Sequence, residues 1–318
     1  MSPRRVIGID TGGTKLLGGV VDDSFAVRDR VRRLWQDVGR REVLDLMVDA
    51  VEEARAAAPD AAAVGFGIPA LVDPATGEVR FSTHLPLAGL RFQDLMEERL
   101  GLPVFVDNDA NLAVLAEQRA GAARGALDVA MLTLGTGIGG GLILGGRLYR
   151  GAHGGAAELG HVVVDMDGPP CQGACPGRGC LEVMASGTAI GREGAAAAER
   201  EPDSALGREA RAGRAITGAL VTELAHDGCP VARSVLALVG ERLGVGIGSI
   251  VNALNPEFVV IGGGAMAGGD LLLDPARRVV AERALAPSRD QVRIVPAHFG
   301  DEAGMVGAAL FALDGGRA

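Results

Sequence analysis

The fold of this chain is decided by the stretch Val6-Ile7-Gly8-Ile9-Asp10-Thr11-Gly12-Gly13-Thr14-Lys15. Its beginning, Val6–Ile9, predicts a buried strand, and Leu16–Val21, after the glycine turn, predicts a second strand. A glycine turn between strands is typical of a tight hairpin. It is also typical of a phosphate loop, because backbone amides can approach an anion closely where no side chain intervenes. The acid at the end of the first strand favours the phosphate loop, since a cation can join a carboxylate to a phosphate.

A second glycine turn, Gly135-Thr136-Gly137-Ile138-Gly139-Gly140, separates two further predicted strands, Val129–Leu134 and Gly141–Leu144. The turn matches the G-x-G-x-x-G pattern of dinucleotide-binding folds, but in those folds the pattern opens a helix, whereas here it opens a strand. The sequence contains no G-x-x-x-x-G-K-[ST] pattern, which excludes a P-loop enzyme. Two similar strand–turn–strand segments indicate a duplicated architecture with two halves facing each other across a cleft.

The rest of the chain alternates between the periodicities of strands and helices. Further strands are predicted at Ala63–Ile68, Val104–Val106 and Phe258–Ile261. Helices are predicted at Glu42–Ala58, Asn108–Ala120, Val231–Leu254 and Glu302–Leu313. Small residues along one stripe of the longest helix predict close helix packing. This alternation predicts an α/β protein.

Composition limits the classes of function. The 318 residues are enough for two domains, and 48% hydrophobic and 22% charged residues are an ordinary balance for a soluble globular protein. A net charge of −9 argues against nucleic acid as a partner. Apolar runs of membrane-spanning length are all interrupted by glycine or charge, and the start of the chain lacks a signal-peptide core. We therefore expect a cytoplasmic protein with no membrane partner.

Four residues within one short segment predict a metal site: His161, Cys171, Cys175 and Cys180. One histidine and three cysteines match a closed tetrahedral zinc site, the alternative being reactive or incidental thiols. The glycines and prolines between them form a knuckle, residues 161–180, with little core of its own. Zinc would then supply its folding energy. Cys229 stands apart in the sequence and is expected to be a plain buried thiol.

Polar residues follow the predicted strand Val104–Val106 in the segment Asp107-Asn108-Asp109-Ala110-Asn111. Asp and Asn at the start of a helix are ordinarily N-caps. The carboxyl ends of strands are also where the sites of α/β proteins form, so the same residues are candidates for an active site.

The chain resembles the ROK sugar kinases of the actin-like ATPase superfamily. Gly8–Lys15 resembles their first phosphate motif, Leu134–Gly139 the second, and Gly262-Gly263-Gly264 the adenosine motif, so that the resemblance runs from about residue 6 to about 312. It implies a ribonuclease H-like, duplicated two-domain fold. The small domain would comprise residues 1–117 with 299–318, and the large domain residues 118–298.

The resemblance implies that ATP binds between the domains, with Asp10 near the magnesium ion. The expected nucleotide-binding residues are Asp10, Thr11, Gly12, Gly13, Thr14, Lys15, Gly135, Thr136, Gly137, Gly262, Gly263 and Gly264. Lys15 is the only lysine among 31 basic side chains. It also implies that Asp109 is the general base, that Asn108 contacts a sugar hydroxyl, and that Glu158, His161 and Glu182 clamp the sugar.

Three departures from the family pattern concern the metal and the sugar. The usual cysteine spacing is C-x-C-x4-C, but Gly173 stands at the first cysteine position, and we take Cys171 as the replacement ligand. Ala70 replaces the last glycine of a G-[IV]-P-G motif, and His84 stands where many members have asparagine. Both of these residues border the predicted sugar site.

The function expected from the resemblance is transfer of the γ-phosphate of Mg·ATP to the 6-hydroxyl of a hexose, with glucose favoured. N-acetylmannosamine or fructose as the sugar, and polyphosphate as the donor, remain alternatives. A sugar-responsive regulator is disfavoured by the catalytic Asp109 and by the short segment of five residues before the first strand. The resemblance also implies a homo-oligomer, either a dimer or a tetramer.

Overall fold

The computed structural model describes residues 4–82 and 84–317. Contacts between residues divide the chain into two compact units. The first unit comprises Met1–Met131, Gly141–Ala157 and Ala297–Ala318, and the second comprises Leu132–Gly140 and Glu158–Pro296. The domain boundaries expected at residues 117 and 298 stay a prediction.

Strands and helices alternate along the described residues. The strands are β1 (Arg5–Thr11), β2 (Lys15–Asp22), β3 (Val27–Leu34), β4 (Val64–Ile68), β5 (Ala70–Val72), β6 (Glu78–Ser82), β7 (Leu90–Arg91), β8 (Val104–Asn108), β9 (Val129–Leu134), β10 (Ile138–Leu144), β11 (Arg147–Leu148), β12 (Phe258–Gly262) and β13 (Arg293–Pro296). The helices are α1 (Arg40–Ala57), α2 (Phe92–Leu100), α3 (Asp109–Ala120), α4 (Leu181–Ala185), α5 (Gly187–Arg200), α6 (Ala205–Arg211), α7 (Gly218–His226), α8 (Pro230–Leu254), α9 (Asp270–Arg283), α10 (Ser288–Gln291) and α11 (Ala303–Leu313). The predicted strands and helices are confirmed, with ends that differ by at most three residues.

The first unit is built on a five-stranded sheet with the order β3-β2-β1-β4-β8. β1 and β2 form the predicted hairpin, while β4 pairs in parallel with both β1 and β8. The register sets Asp10 opposite Gly67, and Gly67 opposite Asp107. Because parallel strands end at the same edge, the polar residues after β1 and β8 meet at one edge of the sheet.

Helix α11 packs directly against this sheet and against α3, and glycines make the close approach possible. A β-carbon at Gly65 would lie 1.8 Å from the carbonyl oxygen of Ala308, and one at Gly8 would lie 2.1 Å from that of Met305. Any larger residue at these two strand positions would overlap the helix backbone. The C-terminal helix is therefore an integral part of the core of the first unit.

Another five-stranded sheet has the order β11-β10-β9-β12-β13, and β12 and β13 pair in parallel. In the second unit, α8 packs along α9, where a β-carbon at Gly240 would lie 2.3 Å from the carbonyl oxygen of Leu272. The close helix packing predicted from the small residues is thus confirmed. Helix α8 is long and apolar enough to cross a membrane by composition, but its most apolar window is 61% buried within the protein, as expected of a core helix.

Candidate functional site

The first glycine turn, residues 12–14, is fixed by backbone bonds and by one tryptophan. The Gly12 amide donates to the carbonyl of Lys15 at 2.8 Å, which closes the hairpin. Trp35 donates its backbone amide to Thr14 and its indole Nε1 to Gly13, both at 3.0 Å. The role of Trp35 was not predicted from the sequence, although it is the single tryptophan of the chain. The turn is therefore fixed through the Gly12 amide and through the carbonyl oxygens of Gly13 and Thr14.

Asp10 lies at the end of β1, against two glycines. A β-carbon would lie 3.3 Å from Asp10 Oδ1 if built on Gly67, and 2.5 Å if built on Gly304 of α11. Burial raises the pKa of Asp10 to about 8; the Asp109 carboxylate also raises it, and Lys15 opposes the rise. A carboxyl group in this environment is ionised most readily when a cation is bound beside it, which fits the expected place of magnesium.

Lys15 and Thr11 have partners inside the first unit. Lys15 Nζ lies 3.1 Å from Asp301 Oδ2, and 38% of its side chain remains exposed. Thr11 is fully buried and donates its hydroxyl to the carbonyl of Gly67 at 2.8 Å, so it joins β1 to β4. Nucleotide contacts of these two residues stay a prediction.

Asn108 and Asp109 begin α3. Asn108 is the N-cap, since its Oδ1 accepts from the amides of Ala110 and Asn111 at 2.9 and 3.1 Å. Its Nδ2 lies 3.4 Å from the carbonyl oxygen of Ala70. Asp109, the first residue of the helix, accepts from the Ala110 amide at 2.9 Å. Capping therefore explains the type of residue at position 108, and the sugar contact expected there is a separate prediction.

Asp107 and Arg150 form a buried ion pair directly before this helix. Arg150 Nε lies 2.6 Å from Asp107 Oδ2, and the two side chains are only 16% and 6% exposed. Oδ1 of the same carboxylate accepts from the Asn108 amide at 2.7 Å and from Asn111 Nδ2 at 3.0 Å. The guanidinium lies 5.3 Å from the ring centre of Phe311. Arg150 was not predicted from the sequence, because an arginine after a short strand forms no local pattern.

In the second unit, the second glycine loop, residues 135–137, is held mainly by α5. The Gly187 amide donates to the Gly135 carbonyl at 2.8 Å, and the Thr188 hydroxyl donates to the Thr136 carbonyl at 2.7 Å. Within the loop, the Gly135 amide donates to the Gly137 carbonyl at 2.9 Å. The predicted strand–turn–strand arrangement is therefore present, with α5 as its support.

The predicted adenosine motif lies beside this loop. Gly263 has a φ of 85°, and a β-carbon there would lie 2.5 Å from the carbonyl oxygen of Leu134, the residue before the loop. Glycine is required at position 263 for both reasons. The structure thus brings two of the three predicted nucleotide motifs together within the second unit.

The four predicted metal ligands form one cluster in the second unit. The donor atoms of His161, Cys171, Cys175 and Cys180 all lie within 4.8 Å of one another. Cys175 Sγ lies 4.0 Å from Cys180 Sγ, and Cys171 Sγ lies 3.7 Å from His161 Nδ1. Zinc–sulfur bonds of ~2.3 Å in a tetrahedron imply edges of ~3.8 Å, so the donor set and its spacing fit zinc.

Cys171 takes part in this cluster despite the altered spacing of its motif. Gly173, at the usual position of the first cysteine, is exposed and has a φ of 64°. Burial, together with the neighbouring Cys180 and Cys175, raises the pKa of the Cys171 thiol to about 12. A thiol of this kind becomes a thiolate ligand when metal binding displaces its proton.

The three predicted sugar-clamp residues differ in their surroundings. His161 faces Cys171 through Nδ1, and its Nε2 lies 4.0 Å from Oε2 of Glu158, whose side chain is 68% exposed. Glu182 instead accepts through Oε2 from the Ile138 amide at 2.9 Å, and its Oε1 lies 3.9 Å from Cys171 Sγ. The link between Glu182 and the second glycine loop was not predicted from the sequence.

The ROK family model matches residues 6–315, and the chain belongs to this family. The glucokinase of Streptomyces coelicolor is 35% identical over 314 residues, which cover 97% of each chain. The glucokinase of Thermotoga maritima is 34% identical over 311 residues, again 97% of each chain.

Among solved structures, a ROK family glucokinase from Streptomyces griseus in complex with glucose and AMPPNP is similar to this chain. The identity is 35% and the TM-score 0.87, over 98% of this chain and 99% of that one. These similarities confirm the family predicted from the glycine motifs. They also confirm the fold class, the α/β fold of the actin-like sugar kinases.

Proposed function

We propose that this chain is an ATP-dependent glucokinase, which transfers the γ-phosphate of Mg·ATP to the 6-hydroxyl of glucose. The observation that carries the proposal is the similarity over the whole chain to glucokinases, at 35% identity to one solved with glucose and AMPPNP. The polar edge of the first sheet, with Asp10 and Asp109, supports a phosphotransferase rather than a protein that only binds sugar.

In the first unit, Asp109 is the general base. Phosphoryl transfer requires an acceptor hydroxyl held in line and a group that takes its proton. Asp109 is the first residue of α3, where the positive end of the helix dipole favours an ionised carboxylate. Asn108 orients the sugar with its side-chain amide, and Asp10 receives the magnesium ion of the nucleotide substrate.

In the second unit, the loop at residues 135–137 and the glycines 262–264 bind the nucleotide. Glu158, His161 and Glu182 accept and donate hydrogen bonds to the hydroxyls of the sugar. Carboxylates accept from pairs of hydroxyls, and the imidazole presents the nitrogen that faces Glu158.

The knuckle carries a structural zinc ion. His161, Cys171, Cys175 and Cys180 would hold the metal, which supplies folding energy to a segment without a core of its own. Zinc with four protein ligands leaves no position for substrate, so the metal takes no part in the transfer. His161 connects the metal to the sugar clamp.

The remaining assignments rest on family membership. We place the protein in the cytoplasm, as a homo-oligomer of two or four chains. The small domain comprises residues 1–117 with 299–318, and the large domain residues 118–298.

A coupled assay of ADP release tests the proposal with a panel of glucose, mannose, fructose and N-acetylmannosamine. Product formation with polyphosphate is measured in parallel. We expect the highest kcat/KM with glucose and ATP. A preference for another hexose would refute glucose as the acceptor, and a preference for polyphosphate would refute ATP as the donor. In either case the assignment as a sugar kinase would stand.

The role of Asp109 is tested by Asp109→Asn, with Asp49→Asn on the exposed face of α1 as the control. Removing a general base lowers kcat by about 10²–10⁴-fold, while glucose affinity measured by calorimetry should change little. Near-normal turnover in Asp109→Asn would refute the assignment.

A further inference from the structure

The knuckle and helix α4, which follows it, contact the second glycine loop through two side chains. Glu182 accepts from the amide of Ile138 at 2.9 Å, directly after the loop. Gln172, next to the ligand Cys171, donates through Nε2 to the Thr136 carbonyl at 3.1 Å. The loop is therefore joined to the segment that carries the cysteine cluster, in addition to its bonds with α5.

Gly137 shows how closely the loop and the carboxylate fit together. A β-carbon at this position would lie 2.2 Å from Glu182 Oε2 and 3.0 Å from Glu182 Cδ. Glycine is therefore what allows the carboxylate to reach the Ile138 amide. The second oxygen of the carboxylate, Oε1, remains on the side of Cys171.

This bond has two opposite effects on an anion bound at the loop. Ordering a backbone residue costs conformational entropy, so a loop that is already held in place binds its ligand more tightly than one that must be ordered. A bond from an amide to a carboxylate is charge-assisted and therefore strong. The negative charge of the carboxylate, however, repels a phosphate nearby. Substitutions can separate ordering from repulsion, because a glutamine keeps an acceptor oxygen and loses the charge.

We propose that Glu182 is a positioning residue for the nucleotide, acting through the amide of Ile138, in addition to its role in the sugar clamp. The proposal rests on the proposed function for the identity of the anion as an ATP phosphate. Gln172 assists by holding the Thr136 carbonyl. Because one carboxylate then contacts the sugar and fixes the phosphate loop, the affinities for the two substrates are linked through Glu182.

The experiment measures the dissociation constant of Mg·AMPPNP by calorimetry in the absence of sugar. We expect Glu182→Ala to raise this constant about tenfold, which corresponds to the loss of one charge-assisted hydrogen bond. Glu182→Gln should stay within about threefold of the wild type, since its carbonyl oxygen still accepts from the amide. Unchanged or tighter binding in Glu182→Ala would overturn the proposal, and so would an equal loss in the two variants.

Glu158→Ala is the matched control, because Glu158 is exposed and its carboxylate lies beside His161 rather than at the loop. It should raise the KM for glucose and leave the nucleotide dissociation constant unchanged. If Glu182→Ala does not fold, judged by circular dichroism, Gln172→Ala takes its place and should raise the constant about threefold. An unchanged constant in Gln172→Ala would then overturn the proposal.

Hydrogen exchange gives a readout that does not depend on any ligand. The Ile138 amide should exchange faster in Glu182→Ala than in Glu182→Gln, and equal rates would contradict the assigned bond. Turnover of the wild type is measured separately. If the wild type phosphorylates no hexose but the variants show the expected nucleotide affinities, the proposed function alone is refuted. If the wild type phosphorylates glucose but the variants do not show these affinities, this inference alone is refuted.

Discussion

Replacing Arg150 by methionine tests the buried ion pair before α3. The change removes the guanidinium and keeps much of the side-chain volume, so that the Asp107 carboxylate is left buried without its cation. Breaking a buried pair in this way costs about 3–5 kcal/mol. We expect the lower end, about 3 kcal/mol, because Asp107 still accepts from the Asn108 amide and from Asn111 Nδ2. The substitution also removes the contact between the guanidinium and the Phe311 ring.

Urea unfolding followed by circular dichroism measures this loss. In thermal unfolding, a loss of 1 kcal/mol lowers the melting temperature of a cooperative unit of 150–250 residues by about 2–4 °C. The melting temperature of Arg150→Met should therefore fall by about 6–12 °C. The double variant Asp107→Asn/Arg150→Met should recover at least about 1 kcal/mol, because it leaves no unpaired charge in the interior. Arg147→Met, at an exposed arginine of β11, is the control and should change stability by less than about 0.5 kcal/mol.

Turnover gives a second readout of the same pair. Asp107 fixes the amide of Asn108, and thereby the start of the helix that carries Asp109. Arg150→Met should therefore lower kcat about tenfold, at a temperature where the variant is fully folded. A stability within about 0.5 kcal/mol of the wild type would refute the reasoning, since it would mean that water already solvates the carboxylate.

Three further predictions concern single residues. Burial raises the pKa of Asp10 from an unfolded value near 3.8 to about 8. The stability of the wild type relative to Asp10→Asn should therefore fall as pH rises from about 4 to about 8, and a rise measured by urea unfolding would contradict this sign. Gly304→Ala should displace the Asp10 carboxyl, 2.5 Å from the new β-carbon, and lower kcat/KM for ATP at least about tenfold. Gly248→Ala, a helical position with open space, is its control, and equal kinetics in the two variants would disprove the steric argument. Cys171→Ser should lose bound zinc in metal analysis and lower the melting temperature, whereas Cys229→Ser should keep one zinc per chain; retained zinc in Cys171→Ser would show that Cys171 is not a ligand.

Features that depend on neighbouring residues were predictable from the sequence. The two glycine turns, the helix after Asn108 and the cysteine cluster are each specified within a segment of about twenty residues or fewer. Strand and helix periods and metal-ligand spacings operate over this range. Even the shifted Cys171 was assigned correctly to the cluster, because a loop rich in glycine can change its path by two residues.

Features that depend on distant residues were not predictable. Arg150 pairs with Asp107 from 43 positions away, and Asp301 pairs with Lys15 from 286 positions away. Each pair forms because the topology brings two elements to the same edge, and no periodicity in either segment encodes the partner. The Glu182 bond to Ile138 belongs with them, since the spacing of the cysteines locates Glu182 but does not show what its oxygens contact.

The acids at the centre of the first unit show why burial alone does not identify a functional carboxylate. Glu117 is fully buried, but it accepts from the amides of Ala122, His298 and Phe299, so its charge is compensated by the fold. Asp10 has no such donors among the residues that the structure describes, and burial raises its pKa to about 8. A fold selected for stability alone would have no reason to keep an acid there, because a neutral side chain would cost less. A buried acid without hydrogen-bond donors fits the proposed function, in which the magnesium ion of the nucleotide would supply the missing positive charge.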